Sequence, residues 1–304
     1  MKPTLRQLEY IVAIAETGSF SEAAKRTFVS QPSLSTQIKD MEVELGAPLL
    51  ERSSLGAILT PIGEVVVARA RIILRDVETL KHLTRESENS LAGQVRLGVL
   101  PSIGPYLLPQ AVRKLHRQYP NLRISVREER TIDLYNHLRD GRFDVIISTS
   151  EDSSDTHSMP LVQEKLYICV APDDALATSR NPVSISDLAK RELLSLGYGH
   201  KLTQTVQNLA DLSGAVMSSD YEGTSLDAIR QMASMGGRIA ILPSLYAISE
   251  AKKDPDLFVR PIDHPMANRK IGLIWRQSSP LELKFTKIGQ TLSETAQEIM
   301  AASV

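Results

Sequence analysis

The chain has 304 residues, 42% of them hydrophobic and 23% charged, with a formal net charge of −1. That length suits two or more domains and that composition a globular protein, with no apolar run near the ~18 residues of a membrane span. The single cysteine, Cys169, excludes an internal disulfide, a CxxC redox pair and a cysteine zinc cluster.

The opening stretch, "MKPTLRQLEYIVAIAETGSF", is interrupted by Glu9 and Glu16 and reads as an amphipathic helix. It has no secretory h-region, so a reducing, cytoplasmic setting is expected. Leu8, Ile11, Val12 and Ala15 give one apolar face, and Gly18 ends the helix. Ser19 can cap a second helix with Phe20, Ala23 and Ala24 turned inward. Ser30 is a candidate cap for a third, with Pro32 in its first turn, where a missing N–H does little harm. Leu34, Ile38, Met41 and Leu45 recur at helical spacing up to Gly46. "APLLERSSLGAILTPIG" then reads as a small hairpin, and Pro61 to about Glu88 as one long helix. There Val66, Ile73 and Leu80, with Val77 between, suggest a seam for a partner helix.

The wet side of the third helix carries Pro32, Ser33, Ser35, Thr36 and Lys39, with Gln31 at its exposed end. Small hydroxyls and an amide can approach base edges, and N-terminal N–H groups suit phosphate. A helix entered through so tight a connection fits a helix-turn-helix, with the hairpin as its wing. By pattern alone the run fits an ordinary αα-hairpin equally well. The first sixty residues hold six cations against seven acids, so phosphate attraction does not decide between them.

After Leu91 the pattern changes. Strand-like runs at Val95–Val99, Leu122–Arg127 and Val145–Ser148 alternate with helical stretches, and the rhythm resumes at "KLYICVAP", "ELLSLG", "GRIAILPSL" and "KIGLIWR". Such alternation predicts an α/β fold around a largely parallel sheet.

The motifs "GSFSEAA", "VSQPSLSTQI", "LGAPLLER" and "LTPIG" resemble, in order and spacing, the DNA-binding domain of LysR-type transcriptional regulators. The resemblance runs through the whole chain. It implies an all-α winged helix-turn-helix domain (1–60), a dimerising linker helix (61–90) and a periplasmic-binding-protein-like α/β effector domain of two halves (91–304). The first half spans about 91–162 plus 269–304 and the second about 163–268. It implies DNA contacts from Gln31, Pro32, Ser33, Ser35 and Thr36, with Lys39 and Arg52 on phosphate. The wing departs from the family in carrying Leu55 and Gly56 where many members have arginine. The implied partners are double-stranded promoter DNA, RNA polymerase, a small anionic inducer and further copies of the chain as a dimer of dimers, with no cofactor and no membrane.

"GVLPSIGPYLLPQ", "GHKLTQTVQNLADLSGA" and "EGTSLDAIRQMASMGGRIAILP" resemble the peroxide-sensing branch of that family. Its chemistry needs a thiolate that becomes a sulfenic acid and a second cysteine to trap it. Lys201 stands where the first would be, and the second, near Ala210, is also missing. Disulfide-based sensing is therefore excluded, and Cys169, inside an apolar strand run, reads as a buried thiol. Ser102, Thr131, His200 and Thr224 fall where the family's inducers sit, with Lys201 as a charge partner. Lys201 also fits a solvated surface cation, and Ser102 and Thr224 helix caps. A constitutive regulator without a ligand is the alternative.

An enzyme finds no support. The six histidines show no HxH or HxxxH spacing, "GYGHK" is a bare GxG, and no GxSxG or Walker-type loop occurs. A solute-binding protein would fit residues 92–304 as a fold but not the N-terminal third.

Overall fold

The computed structural model describes residues 3–53, 56–83, 91–150, 154–178, 182–219, 221, 223, 225–254 and 257–301. The chain divides into two compact units, Met1–Ser90 with Arg139–Arg142, and Leu91–Leu138 with Phe143–Val304.

In the N-terminal unit, α1 (Leu5–Thr17) begins with a capping box between Thr4 and Gln7 and ends at Gly18, whose φ of 65° is left-handed backbone that suits glycine. Ser19 caps α2 (Phe20–Arg26) by accepting from the Glu22 N–H. The turn into α3 (Gln31–Leu45) is closed by Phe28 at φ 57°, which costs a non-glycine residue about 1 kcal/mol. Leu8, Ile11, Ile14, Ala23, Leu34, Ile38 and Met41 form the core. The apolar stripe on α3 stops at Met41, because Leu45 in the last turn is exposed. The antiparallel strands β1 (Leu50–Ser53) and β2 (Gly56–Leu59) make the hairpin. Next, α4 (Pro61–Leu83) packs on α1 through Val67 and Ala70. Ile73 and Leu80 on α4 are 44% and 61% exposed and Val77 is half-buried, while Val66 packs partly against the core, so the seven-residue stripe is uncovered at Ile73 and Leu80 within its own unit. The stretch expected to extend this helix to Glu88 lies outside the described residues.

The second unit is built on one nine-stranded sheet, ordered β4-β3-β5-β11-β6-β9-β7-β8 with β10 paired to β6. In chain order come β3 (Gly93–Val99), α5 (Gly104–Gln118), β4 (Leu122–Glu128), α6 (Thr131–Arg139), β5 (Val145–Thr149) and β6 (Thr156–Val170). Then follow α7 (Ala175–Thr178), a 3-10 turn (Ile185–Leu188), β7 (Glu192–Leu194), α8 (Lys201–Ser213), β8 (Val216–Met217), α9 (Leu226–Ser234), β9 (Arg238–Pro243) and α10 (Ser244–Ala251). The chain closes with β10 (Phe258–Pro261), β11 (Asn268–Arg276) and α11 (Glu282–Ala301). The sheet is mixed, which corrects the expectation of a largely parallel one. β3, β4 and β5 are parallel, as are β7, β8 and β9, but β6, β10 and β11 run antiparallel to their neighbours. Apolar runs mark a strand without fixing its direction, and here the direction follows from connections that return to the first half.

Two cores result, one around β3, β5, β11, α5 and α11, the other around β6, β7, β9, α8 and α9. The 15-residue strand β6 joins them. Its Thr156–Lys165 portion pairs with β11 and its Leu166–Val170 portion with β9 and β10.

Candidate DNA-binding face and inter-half cleft

On α3, Ser30 accepts from the Ser33 N–H at 3.3 Å and sets the helix start, while Pro32 occupies the first turn. Leu34, Ile38 and Met41 are wholly buried. Gln31, Pro32, Ser33, Thr36 and Lys39 are exposed, and Ser35 lies at the margin, half-buried. Thr36 donates its hydroxyl to the Pro32 carbonyl at 3.0 Å. The Gln7 side-chain amide donates to the Gln37 carbonyl at 3.2 Å and ties α1 to α3, fixing the orientation of that face. Arg52 sits on β1 opposite Ala57; its side chain, and residues Ser54 and Leu55 of the turn, lie outside the described parts. The face offers hydroxyls, an amide, a proline ring and one cation, a set suited to base edges and poor in phosphate ligands.

In the second unit a cavity of about 20 Å³ lies between the halves, lined by Ser102, Thr131, Thr149, His200 and Arg269 with apolar Leu100, Leu196, Leu202 and Leu226. Its volume is close to that of one water molecule. Three of the expected effector residues, Ser102, Thr131 and His200, meet here. The Lys201 side chain is not part of the lining; its backbone N–H donates to Thr131 Oγ1 at 3.1 Å across the cleft. Thr224 lies outside the described residues.

Sequence reasoning missed two charged groups here. Arg269, 7% exposed, donates from Nε to Glu164 at 2.7 Å and from a terminal nitrogen to Ser102 Oγ at 2.8 Å. Glu164, 0% exposed, also accepts from the Leu245 N–H at 2.9 Å and the Ser244 hydroxyl at 3.4 Å. The Arg269 charge is thus already balanced, and an anion entering the cavity would have to share or displace these bonds. One signal was readable: Glu164 shares strand parity with Leu166 and Ile168, which puts a carboxylate on an apolar face.

His200 is buried, and its Nε2 has no hydrogen-bond partner among the described residues. Burial, with the Arg130 charge adding and Asp133 partly opposing, holds the imidazole below its ordinary value of 6.5. In the unfolded chain the same ring takes a proton near 6.5, so below that pH the unfolded state binds more protons and stability falls as pH falls. The loss accumulates from there down to the depressed folded value. His200→Gln should therefore flatten the dependence of the urea midpoint on pH between about 7.5 and 5. An unchanged slope would assign that dependence to other groups.

Cys169 is wholly buried in β6, and burial pushes its thiol up to about 11. It has neither the exposure nor the thiolate character of a redox sensor.

One chain thus carries a helical unit whose third helix turns hydroxyls, an amide and a cation to solvent, and a two-lobed α/β unit that encloses a small cavity of mixed lining. Residues 5–64 match the bacterial regulatory helix-turn-helix protein of the lysR family, and residues 88–297 match the LysR substrate binding domain. The chain belongs to the LysR family of transcriptional regulators, a family of regulators and not of enzymes. It is 35% identical over 297 residues to a hydrogen peroxide-inducible genes activator of Pectobacterium carotovorum subsp. carotovorum, covering 97% of this chain and 98% of that one. It is 33% identical over 288 residues to the HTH-type transcriptional regulator EstR of Acinetobacter baylyi, covering 94% and 95%. Among solved structures, a full-length OxyR variant from Pseudomonas aeruginosa superimposes with a TM-score of 0.80 at 31% identity, covering 96% and 95%. The likeness to peroxide regulators stands beside a chain with one cysteine, which lacks the redox pair. Among the described residues no helix is long and apolar enough to cross a membrane.

Proposed function

We propose that this regulator is controlled by a small anionic effector bound between the halves of its second unit, and not by disulfide formation. The observation that carries the reading is the convergence of Ser102, Thr131, His200 and Arg269 on one cavity. Lys201 and Thr224 complete the set by resemblance. A cavity of about 20 Å³ holds no carboxylate, so the halves part on binding and Arg269 exchanges Ser102 for the ligand. Gln31, Pro32, Ser33, Ser35 and Thr36 read the promoter, and Lys39 and Arg52 hold its phosphates. The linker helix pairs two subunits through Val66, Ile73 and Leu80, and two such dimers bend the DNA within reach of RNA polymerase.

The test is thermal unfolding of the full chain with formate, acetate, glycolate, phosphate and hydrogen peroxide. A ligand at about 100 times its dissociation constant stabilises by about 2.7 kcal/mol. Stabilisation by one anion that disappears in Thr131→Val supports the reading, and stabilisation that survives it places the ligand elsewhere. The small size of the cavity favours a second reading, a constitutive regulator without a ligand. No response to any anion, together with promoter binding, would select that reading.

A further inference from the structure

The geometry points to Tyr106 as a latch that holds the two halves of the effector domain closed. Among the described residues Tyr106 is the half-buried apolar side chain that packs against both cores. It rises from the first turn of α5 in the first half and meets α10 of the second. Its ring stands edge-on to buried Tyr246, centroids 5.6 Å apart at 81°. Its hydroxyl donates to Glu250 Oε1 at 3.3 Å, and the Lys253 ammonium, paired with Glu250 at 2.7 Å, lies 5.8 Å from the ring centroid. Burial, with Glu250 adding, raises the phenol well above its ordinary range, so the proton for that bond stays in place. The receiving side is itself braced, since Tyr246 donates to Asp227 and accepts from Arg230 Nε at 3.2 Å.

A different pair of elements closes the cleft at α6 and the loop before α8. There the Ile132 N–H donates to the Gly199 carbonyl at 3.2 Å and the Lys201 N–H to Thr131 Oγ1 at 3.1 Å. Neither bond involves Tyr106, and both must break when the halves part. Their amides therefore report on opening at a distance from the latch. The latch acts on closure whatever fills the cleft, so it stands or falls independently of the effector.

The measurement is amide hydrogen exchange by mass spectrometry on the full chain without added ligand, comparing the parent with Tyr106→Ala. Peptides spanning 130–134 and 198–203 should exchange at least about tenfold faster in the variant, from loss of the ring contact and the hydrogen bond, while β3 and β9 stay unchanged. No acceleration in those two peptides would overturn the latch. Equal acceleration throughout β3 and β9 would also overturn it, since Tyr106 would then serve only global stability. Should the alanine variant fail to fold, Tyr106→Phe and Glu250→Gln decide, each expected to speed the same peptides by about threefold. No change in either would sink the idea.

Discussion

Glu164→Gln is expected to lower the stability of the effector unit by about 3–5 kcal/mol, the usual cost of breaking a buried ion pair from one side. Glutamine keeps an oxygen for the Leu245 N–H and the Ser244 hydroxyl but turns its NH2 towards Arg269, so the variant removes the charge and the hydrogen bonds to Arg269 together. What remains is the Arg269 guanidinium, 7% exposed, with Ser102 as its neutral partner. A guanidinium keeps its charge when desolvated and cannot escape the penalty by releasing a proton. The double variant Glu164→Leu with Arg269→Met should recover part of the loss, because the apolar pair removes both buried charges while leaving the Leu245 N–H without its acceptor. Trp275, the chain's single tryptophan, lies buried on β11 six residues beyond Arg269 and reports the urea transition by its emission. A midpoint shift worth less than about 1 kcal/mol would mean that water already reaches the pair and screens it.

Ser35→Arg is expected to erase sequence discrimination while the chain still assembles. Ser35 sits between the buried stripe of α3 and its exposed face, and a hydroxyl there lets the helix backbone come close to the groove floor. Arginine adds a long side chain that holds the helix off and a charge that any phosphate satisfies. The ratio of specific to nonspecific affinity, ordinarily at least about 10³, should collapse towards one. Nonspecific binding should rise slightly, with a salt dependence steeper by about one unit of log–log slope. Fluorescence anisotropy at several salt concentrations, on DNA selected from a random pool by the parent chain, reads both quantities. The variant's mass by light scattering should match the parent's, because the uncovered apolar stripe is on α4. Loss of assembly would place Ser35 in a subunit contact and remove it from the DNA face.

The N-terminal unit was legible almost residue by residue. Its caps Ser19 and Ser30, its terminators Gly18 and Gly46 and the stripe Leu34, Ile38 and Met41 are local devices, each written within a few positions of where it acts. Leu45 broke the pattern because the last turn of α3 runs past the end of the core. The effector unit was legible as strands and helices but not as a sheet direction, since pairing depends on partners a hundred or more residues away, as in Ile271 with Val162. The cleft divided in the same way. Ser102, Thr131 and His200 could be placed by resemblance, whereas Arg269 and Glu164, 105 residues apart, acquire meaning only when the fold brings them together. Tyr106 gave no sequence signal, because an aromatic residue in an amphipathic helix reads as ordinary core.

The single strand shared by both lobes sets a limit on how this regulator can move. A pair of lobes joined by slack cord could swing through any angle; these are joined by a pleated beam, with Val162, Glu164, Leu166 and Ile168 on one face and Gln163, Lys165 and Tyr167 on the other. From Val162 to Val170 phase is therefore held in common; a bulge beside Val162, where Ile271 pairs with Val162 and Gly272 with Pro160, resets it nearer the start of the strand. A slip of one residue in either lobe would turn the other's apolar face to solvent, and the carboxylate with it. A strand continuous through both lobes, with the chain crossing back between β10 and β11, favours twist and bend over free swinging when the lobes part.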